Sequence, residues 1–309
     1  MIGYIARRLL GLVPVLFGVT LIVFLMTWVT PGDPVLAVIG EAAQGIGREQ
    51  LEELRTAYGL DRPLPVQYAD YIGGLLQGDL GTSIRSRQAV IDEIALRLPA
   101  TLQLTLAGMG VALVIGLPLG ILAAIYRRTV IDYTAIVVAL AGVSIPVFWS
   151  GLILMIIFSL ELGWLPASGR GTWQHLVMPA LAIGFSSSAF IARITRSSMI
   201  ETLRQEYVRT AQAKGASAWR VNMRHAFRNA LLPVVTVVGL QFGGLLGGAV
   251  LTETVFAWPG VGRMLVDAIR TRDLPLIQGT VLFIALIFML INLLVDLSYA
   301  ALNPKIRYD

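Results

Sequence analysis

The chain of 309 residues is 56% hydrophobic and only 14% charged, whereas soluble domains carry about 25% charged residues. This composition excludes an ordinary water-soluble fold and places most of the chain in lipid. The absence of cysteine excludes disulfides, thiolate metal sites and cysteine nucleophiles. The net charge of +5 is concentrated beside apolar runs, which favours a membrane-orientation signal over nucleic-acid binding.

Six apolar stretches are long enough, or nearly so, to cross the membrane, which takes ~20 helical residues for ~30 Å of hydrocarbon. Their predicted bounds are 9–30, 100–126, 133–160, 176–192, 232–252 and 276–295. None of these stretches contains Asp, Glu, Lys, Arg or His. The first follows Arg7 and Arg8 but is too long for a signal-peptide core and lacks a cleavage site of small residues. The sequence therefore predicts an all-α polytopic membrane protein with about six transmembrane helices.

Residues 31–99, between the first two spans, show three amphipathic helix patterns. The patterns cover 48–58, which ends at Gly59, then 65–77, which ends at Gly78, and 88–98, which ends before Pro99. The second carries a stripe at helical spacing: Tyr68, Tyr71, Ile72, Leu75 and Leu76. This stripe favours a packed core or a face resting on the membrane surface, with contact to an external partner as the alternative.

Lys and Arg are distributed unevenly among the short loops. With the N-terminus inside, the cytoplasmic segments hold 14 of them and the short outer loops hold 4. Positive charge is retained on the cytoplasmic side, and long loops such as 31–99 are exempt because they translocate largely regardless of charge. Both termini are therefore predicted to be cytoplasmic.

The fifth span is rich in glycine at four-residue spacing. Gly239, Gly243 and Gly247 lie on one ridge, with Gly244 and Gly248 on the adjacent one. Small residues at this spacing favour close helix packing, with a substrate-specific role as the alternative. Polar residues of the spans are candidates for a transport path, although helix packing explains each of them as well: Gln103, Ser144, Ser150, Ser187, Gln241 and Asn292. No pore residue is therefore assigned.

The most informative stretch is residues 206–233, Glu-Tyr-Val-Arg-Thr-Ala-Gln-Ala-Lys-Gly-Ala-Ser-Ala-Trp-Arg-Val-Asn-Met-Arg-His-Ala-Phe-Arg-Asn-Ala-Leu-Leu-Pro. It predicts two short helices. The first ends at Gly215, which can adopt the left-handed conformation, and Lys214 suits the last turn. The second begins with Ser217 as N-cap, and Pro233 suits the first turn of the next span.

Three arginines of the second short helix recur every four residues: Arg220, Arg224 and Arg228. They would lie on one face, near anionic lipid head groups or an acidic partner surface. On residue patterns alone, an ordinary positively charged cytoplasmic loop remains an equal interpretation of the whole stretch.

The core Ala-Lys-Gly-Ala at 213–216, with its flanking residues, closely resembles the EAA loop of ABC importer permeases of the dipeptide, oligopeptide, nickel and glutathione class. Arg209 and Thr210 stand where the general EAA pattern has Glu and Ala, a departure that peptide-type permeases share. Further motifs resemble the same family: Pro-Gly-Asp-Pro at 31–34, the segments 58–68 and 78–81, Glu-Thr-Val-Phe-Ala-Trp-Pro-Gly-Val-Gly-Arg at 253–263 and Asn-Pro-Lys-Ile-Arg-Tyr at 303–308. Residues 162–166 and 240–248 look most similar to the glutathione and dipeptide members.

This resemblance implies a type I ABC importer permease fold. The first helix and an extracytoplasmic segment, residues 1–95, would precede a five-helix core over 96–302 with a coupling loop at 201–232, followed by a cytoplasmic tail, 303–309. The residues implied to couple to an ATPase are Glu206, Tyr207, Arg209, Thr210, Ala211, Ala213, Lys214, Gly215, Ala216 and Ser217. The resemblance implies no catalytic, cofactor or metal residue in this chain.

By the same resemblance, the protein is expected to be a translocation subunit rather than an enzyme, in a bacterial inner membrane. It is expected to pair with a second, homologous permease, two ATPase subunits that bind ATP and Mg, and an extracytoplasmic substrate-binding protein. Di- or oligopeptides, glutathione or nickel are the substrates that the family implies.

Two other functions compete with this interpretation. An ion-coupled symporter would carry ionisable residues within the membrane, and the six predicted spans lack them, while Asp296 lies near the end of the last span. The chain also has no Gly-x-x-x-x-Gly-Lys-Ser/Thr motif for binding ATP itself. An intramembrane serine protease, suggested by Gly184-Phe-Ser186-Ser, would need a histidine base beside the serine, and neither His175 nor His225 lies on a second span.

Overall fold

The apolar runs form helices, and helices make up most of the described chain. The structure, a computed structural model, describes residues 2–29, 35, 47–57 and 59–302. Twelve α-helices within these ranges are numbered α1 to α12 in chain order: Ile2–Val29, Arg48–Ala57, Leu64–Leu76, Val90–Ile125, Val130–Ser144, Val147–Leu154, Trp173–Leu203, Glu206–Ala213, Arg228–Gly248, Val250–Val255, Val261–Arg270 and Leu274–Leu302. Two π-helical segments, Met155–Glu161 and Arg220–Phe227, continue α6 and precede α9. The predicted all-α fold is confirmed.

Within the described residues, five helices are long and apolar enough to cross a membrane. They contain the stretches Leu10–Trp28, Val90–Ile125, Trp173–Leu203, Arg220–Gly247 and Leu274–Val295. A sixth crossing is possible at a bent pair of helices. One member is α5, and the other is α6 together with its continuation Met155–Glu161; the two members meet at an angle of 98°.

The bend lies inside the predicted span 133–160, so this stretch consists of two helices joined at Pro146. Ile145 is extended, with φ −81° and ψ 121°, and Pro146 is the N-cap of α6. Proline disfavours the helical conformation of the residue before it, because its ring meets the backbone and Cβ of that residue. Pro146 therefore divides the stretch into two helices.

Two helix boundaries that were predicted from the position of a proline were wrong. The helix predicted at 88–98 does not end before Pro99, because α4 runs from Val90 to Ile125 through both Pro99 and Pro118. Pro233 lies inside α9 rather than in its first turn, and the helix begins before it. Neighbouring helices allow a membrane helix to lose a backbone hydrogen bond at proline, so proline does not end a long apolar run by itself.

Two compact units divide the chain. The first comprises Met1–Ala100 and Gly260–Met289, and the second comprises Thr101–Pro259 and Leu290–Arg307. The motif at 31–34 and the tail at 303–309 lie outside the described residues, so the domain bounds expected from the resemblance stay predictions.

In the first unit, α3 packs against α1 through the aromatic stripe predicted from the sequence. The Tyr68 ring lies edge-on to Phe17 and Phe24, with centroids 5.9 and 5.4 Å apart, and the Tyr68 hydroxyl lies 2.8 Å from Thr20 Oγ1. Tyr71 also contacts Phe24. For these two tyrosines the packed-core interpretation is confirmed, whereas Leu76 is 84% exposed.

A buried carboxylate fixes the loop before α4 to the start of α12 in the same unit. Asp273 accepts a hydrogen bond from Ser83 Oγ at 2.6 Å and from the backbone N–H groups of Ile84 and Arg85 at 3.3 Å. It also caps its own helix, since the Leu276 N–H donates to it at 3.2 Å. These donors replace the water that a buried carboxylate would otherwise need.

In the second unit, α7 packs closely against α4 and α9. A Cβ on Gly184 of α7 would lie 2.6 Å from Val111 Cβ and 2.7 Å from the Gly108 carbonyl oxygen, both on α4. Ile191 of α7 is fully buried in a cluster with Met109 and Ala112 of α4 and Val234 of α9. Small residues therefore allow these backbones to approach.

The glycine ridge of α9 behaves as predicted at one position. A Cβ on Gly239 would overlap the Val295 side chain of α12, so a larger residue would fit only if that side chain shifted. Gly244, on the adjacent ridge, has no such neighbour within 4 Å. Close packing is thus confirmed for Gly239 and does not extend to Gly244.

Candidate functional site

The short helix α8 presents a polar surface and is anchored by a single buried residue. Val208 is fully buried, while Glu206, Arg209 and Thr210 are exposed. Glu206 accepts a hydrogen bond from Arg209 Nη1 at 3.0 Å, and its backbone carbonyl accepts one from Thr210 Oγ1 at 2.9 Å. Eight residues would not form a stable helix alone, so this anchor and its end caps define the helix.

The C-terminus of α8 ends as the sequence predicted. Gly215 has φ +78°, in the left-handed region. Its N–H donates to the Gln212 carbonyl at 2.9 Å, and the Ala216 N–H donates to the Ala211 carbonyl at 3.2 Å. This pair of bonds is a Schellman motif, which satisfies the last helical carbonyls and turns the chain sharply.

Ser217 then starts the second helix, also as predicted. Its hydroxyl accepts a hydrogen bond from the Arg220 N–H at 3.4 Å, and its carbonyl accepts one from the Val221 N–H at 2.9 Å. The second helix is π-helical over Arg220–Phe227 and continues into α9 without a break. The segment 206–217 is therefore connected directly to a membrane helix.

Tyr207 connects α8 to this π-helical segment. Its hydroxyl donates to the His225 carbonyl at 3.4 Å, and Asn229 Nδ2 donates to the same carbonyl at 2.7 Å. Partial burial raises the pKa of the Tyr207 hydroxyl. Tyr207 was predicted to belong to the segment, but its contact with the His225 carbonyl was not predicted, because a π-helix changes which residues face α8.

The residues expected to couple to an ATPase fall into two groups. Those around the helix end, from Ala213 to Ser217, set its direction, and most of the others are exposed on its surface. The arginines of the second helix, Arg220, Arg224 and Arg228, are all solvent-accessible. Together they give this end of the second unit a basic surface.

Comparison with known proteins identifies the family. Residues 116–308 match the family described as binding-protein-dependent transport system inner membrane component, and residues 1–105 match its N-terminal membrane component. The chain belongs to this family. It is therefore a permease subunit of an ABC importer.

Full-length relatives agree with this membership. The chain is 47% identical over 308 residues to proteins named glutathione transport system permease protein GsiC from Escherichia coli strain K12 and from Pectobacterium atrosepticum strain SCRI 1043. In both comparisons the match covers 100% of each chain.

Solved structures show the fold. A chain of the MetNI methionine ABC transporter matches with a TM-score of 0.58 and 19% identity, covering 68% of this chain and 96% of that one. A chain of an amino acid ABC transporter matches with a TM-score of 0.52 and 16% identity, covering 70% and 95%. The type I importer fold expected from the sequence is confirmed.

Six polar residues were considered for a transport path. Two of them make hydrogen bonds within the protein that explain their positions without a transport path. Gln103 Oε1 accepts a hydrogen bond from Arg170 Nε at 3.0 Å, and Ser150 Oγ donates to the Val147 carbonyl at 2.8 Å. Asn292 Oδ1 differs, because it is buried without a hydrogen-bond partner among the described residues. Because a buried amide oxygen normally accepts a hydrogen bond, Asn292 differs in this respect from Gln103 and Ser150.

Sequence analysis missed the buried charges of the second unit. Asp132, within α5, forms a bidentate pair with Arg196 of α7, with Nε–Oδ1 at 2.6 Å and Nη2–Oδ2 at 2.9 Å. Glu253 is fully buried and accepts a hydrogen bond from Thr101 Oγ1 at 2.6 Å. The predicted spans began after Asp132 and ended before Glu253, so the search for ionisable residues within them could not find either one.

The geometry of α7 disfavours the serine protease interpretation. Ser186 and His175 lie on the same helix, about 16 Å apart along its axis at 1.5 Å per residue. A nucleophile and its base must be within hydrogen-bond reach. His175 Nδ1 instead accepts a hydrogen bond from the Thr172 N–H at 3.2 Å, at the start of the helix.

Proposed function

We propose that this protein is the permease subunit of an importer for glutathione or other short peptides, driven by a partner ATPase through the segment 206–217. The observation that carries the proposal is the geometry of α8. A short, exposed helix is anchored at Val208, closed by Gly215 and joined to a membrane helix. The substrate class is supported by the full-length similarity to glutathione permeases.

The exposed face of α8 would dock into a groove of the ATPase. Movement of the docked helix would reach α9 by two routes, through the chain at 217–228 and through the contact of Tyr207 with the His225 carbonyl. Because helices are stiff, a displacement at 206–217 would tilt or shift α9 rather than dissipate in a loop. Transport would then follow alternating access.

The complete importer would contain this chain, a second homologous permease, two ATPase subunits and an extracytoplasmic substrate-binding protein. ATP and Mg would be bound by the ATPase subunits, and this chain would line one side of the path. Both termini would be cytoplasmic, as the charge distribution of the loops predicts. The N-terminal region, residues 1–95, and the core, residues 96–302, would retain the division expected from the sequence.

The first test is purification of the tagged chain from its native membrane in mild detergent, followed by identification of bound proteins and an ATPase assay. Co-purification of a second permease with ATP-hydrolysing subunits is expected. Uptake of labelled glutathione by the reconstituted complex should need ATP and the binding protein. Uptake that continues without ATP but stops when the ion gradient is dissipated would contradict the proposal and favour a symporter.

Coupling through α8 can be tested separately, since the chain has no cysteine. A single Gln212→Cys variant places one thiol on the exposed surface of α8. It should cross-link to the ATPase subunit with a short bifunctional reagent. Ser86→Cys, exposed in the first unit, is the matched control and should give no such product. Equal cross-linking of both variants would count against docking at α8.

A further inference from the structure

An apolar groove lies within the second unit, between three helices. Its volume is about 390 Å³, and its lining residues come from three helices: Leu119, Gly120 and Ala123 of α4, Ala135, Ile136, Ala139, Leu140, Val143 and Ser144 of α5, and Ala189, Ala192, Arg193 and Arg196 of α7. Most lining side chains are apolar, including Leu119, Ala139, Leu140 and Val143. Its volume is in the range of small-molecule sites, ~300–1,000 Å³.

One end of the groove is strongly basic. Arg193 and Arg196 of α7 line it, and Arg196 is neutralised by Asp132 of α5. The same carboxylate accepts the backbone N–H of Arg128 at 2.9 Å, so the turn containing Arg127 and Arg128 lies at this end too.

The single charge of Asp132 can balance only one of these four arginines. In the stretches that the structure describes, no carboxylate lies within ion-pair distance of Arg127, Arg128 or Arg193. All three side chains are exposed, and the Arg193 guanidinium lies 5.4 Å from the Phe190 ring of its own helix. The end of the groove therefore attracts an anion.

We propose that the groove binds one acyl chain of an anionic phospholipid, whose phosphate head group lies against Arg193 and the Arg127–Arg128 turn. The positions of the residues match the two halves of such a lipid. The apolar lining extends towards Val143 and Ser144, away from the charged end of α7, while the charges are confined to the end near Arg196. Basic pockets between membrane helices are sites where acidic lipid head groups bind.

Charge favours a lipid over a helix of a second permease. An apolar helix would fill the groove but would leave three arginines without a counter-charge at a membrane surface. A phospholipid supplies the apolar chain and the anion in one molecule. This site is independent of the coupling segment, and no residue of 206–217 contributes to it.

The test uses the purified importer complex, delipidated and titrated with phosphatidylglycerol, with bound lipid counted by native mass spectrometry. Arg193→Gln should weaken phosphatidylglycerol binding about fivefold, and the double variant with Arg127→Gln about 25-fold. Arg204→Gln, which removes an exposed charge beyond the groove at the end of α7, is the matched control and should leave binding unchanged. Phosphatidylcholine should bind more weakly than phosphatidylglycerol to the unmodified complex.

A groove-filling variant tests the acyl-chain contact. Ala139→Phe should reduce phosphatidylglycerol binding at least as strongly as Arg193→Gln, with Ala139→Leu replacing it if the larger side chain prevents folding. Equal loss in Arg193→Gln and Arg204→Gln, or undiminished binding in the groove-filling variant, would overturn the proposal. If the Ala139 variant lost the second permease but still bound lipid, the proposal would also be overturned. The groove would then be assigned to the second permease.

Discussion

The contact between α4 and α7 and the segment 206–217 both depend on glycine, but for opposite physical reasons. Gly184 of α7 has no room for a Cβ, which would lie 2.6 Å from Val111 and 2.7 Å from a backbone oxygen. Gly215 has open space around it, with nothing within 4 Å of an added Cβ, but has φ +78°. One glycine is required by packing and the other by backbone conformation.

The difference separates stability from function. A side chain at Gly184 would push two buried helices apart, and protein interiors transmit such strain because they are close-packed. A side chain at Gly215 would alter only the direction of an exposed turn. We therefore expect changes in the α4–α7 contact to unfold the protein and changes in 206–217 to leave it folded but inactive. Four substitutions test this division, one of them in the neighbouring contact between α5 and α7.

The largest loss of stability is expected for Gly184→Ala. The added methyl meets Val111 and the Gly108 carbonyl oxygen, and overpacking of this kind costs about 3 kcal/mol. Gly110→Ala, in α4 with nothing within 4 Å of the new Cβ, is the control and should be neutral or slightly stabilising. The apparent unfolding temperatures in detergent should differ clearly between the two variants, and equal temperatures would show that the helices can move apart at little cost.

The next largest effect is expected for Asp132→Asn. Arg196 would lose its charged acceptor, and we expect a cost of about 2 kcal/mol, since a buried carboxylate that accepts charged hydrogen bonds is being neutralised. Asp267→Asn removes an exposed partner of Arg263 at 3.8 Å and serves as the control. Thermal unfolding of both variants measures the difference, and similar stability would mean that the Asp132–Arg196 pair contributes no more than a surface pair.

A smaller loss of stability, but a complete loss of transport, is expected for Gly215→Val. The left-handed conformation costs an L-residue about 1–2 kcal/mol, and a β-branched side chain tolerates it least. Gly215→Asn is the matched variant, because asparagine adopts this conformation more readily. Both variants should be expressed normally. Substrate-stimulated ATPase activity should be lost in the valine variant and retained in the asparagine variant. Normal transport by Gly215→Val would remove the coupling role from this segment.

The smallest effect on stability is expected for Glu206→Gln. The pair with Arg209 is 3.0 Å long, but its side chains are 84% and 67% exposed, so its loss should cost less than about 0.5 kcal/mol. If α8 docks on the ATPase, the same change should alter the affinity of the complex, measured by co-purification at rising salt. Thr56→Val, in exposed α2 of the first unit, is a control for an equally exposed change and should leave co-purification unaltered.

The local structure of the segment 206–217 was predicted well because its signals are local. Helix propensity, a glycine that accepts positive φ and a serine that caps the next turn all act within a few residues. The structure has the matching dihedral angle at Gly215 and the matching hydrogen bond at Ser217. The π-helical form of Arg220–Phe227 was not predictable in this way, because it shifts the register of the helix without a sequence signal of its own.

The boundaries at proline show the limit of local reasoning. Pro146 breaks its span, while Pro99, Pro118 and Pro233 lie inside continuous helices. The local chemistry of the four residues is the same. A helix continues through a proline if neighbouring helices support the chain on both sides of it, and otherwise the helix breaks. This support is a property of the packed protein.

By itself, the sequence determined the membrane class, the approximate spans, the family and the turn at Gly215, because hydrophobic length, residue motifs and backbone preference are properties of neighbouring residues. Only the tertiary structure determined the 98° bend, the pairing of Asp132 with Arg196 and the groove between α4, α5 and α7. These features join residues far apart in the chain. Their geometry depends on how closely whole helices pack, which no local pattern specifies.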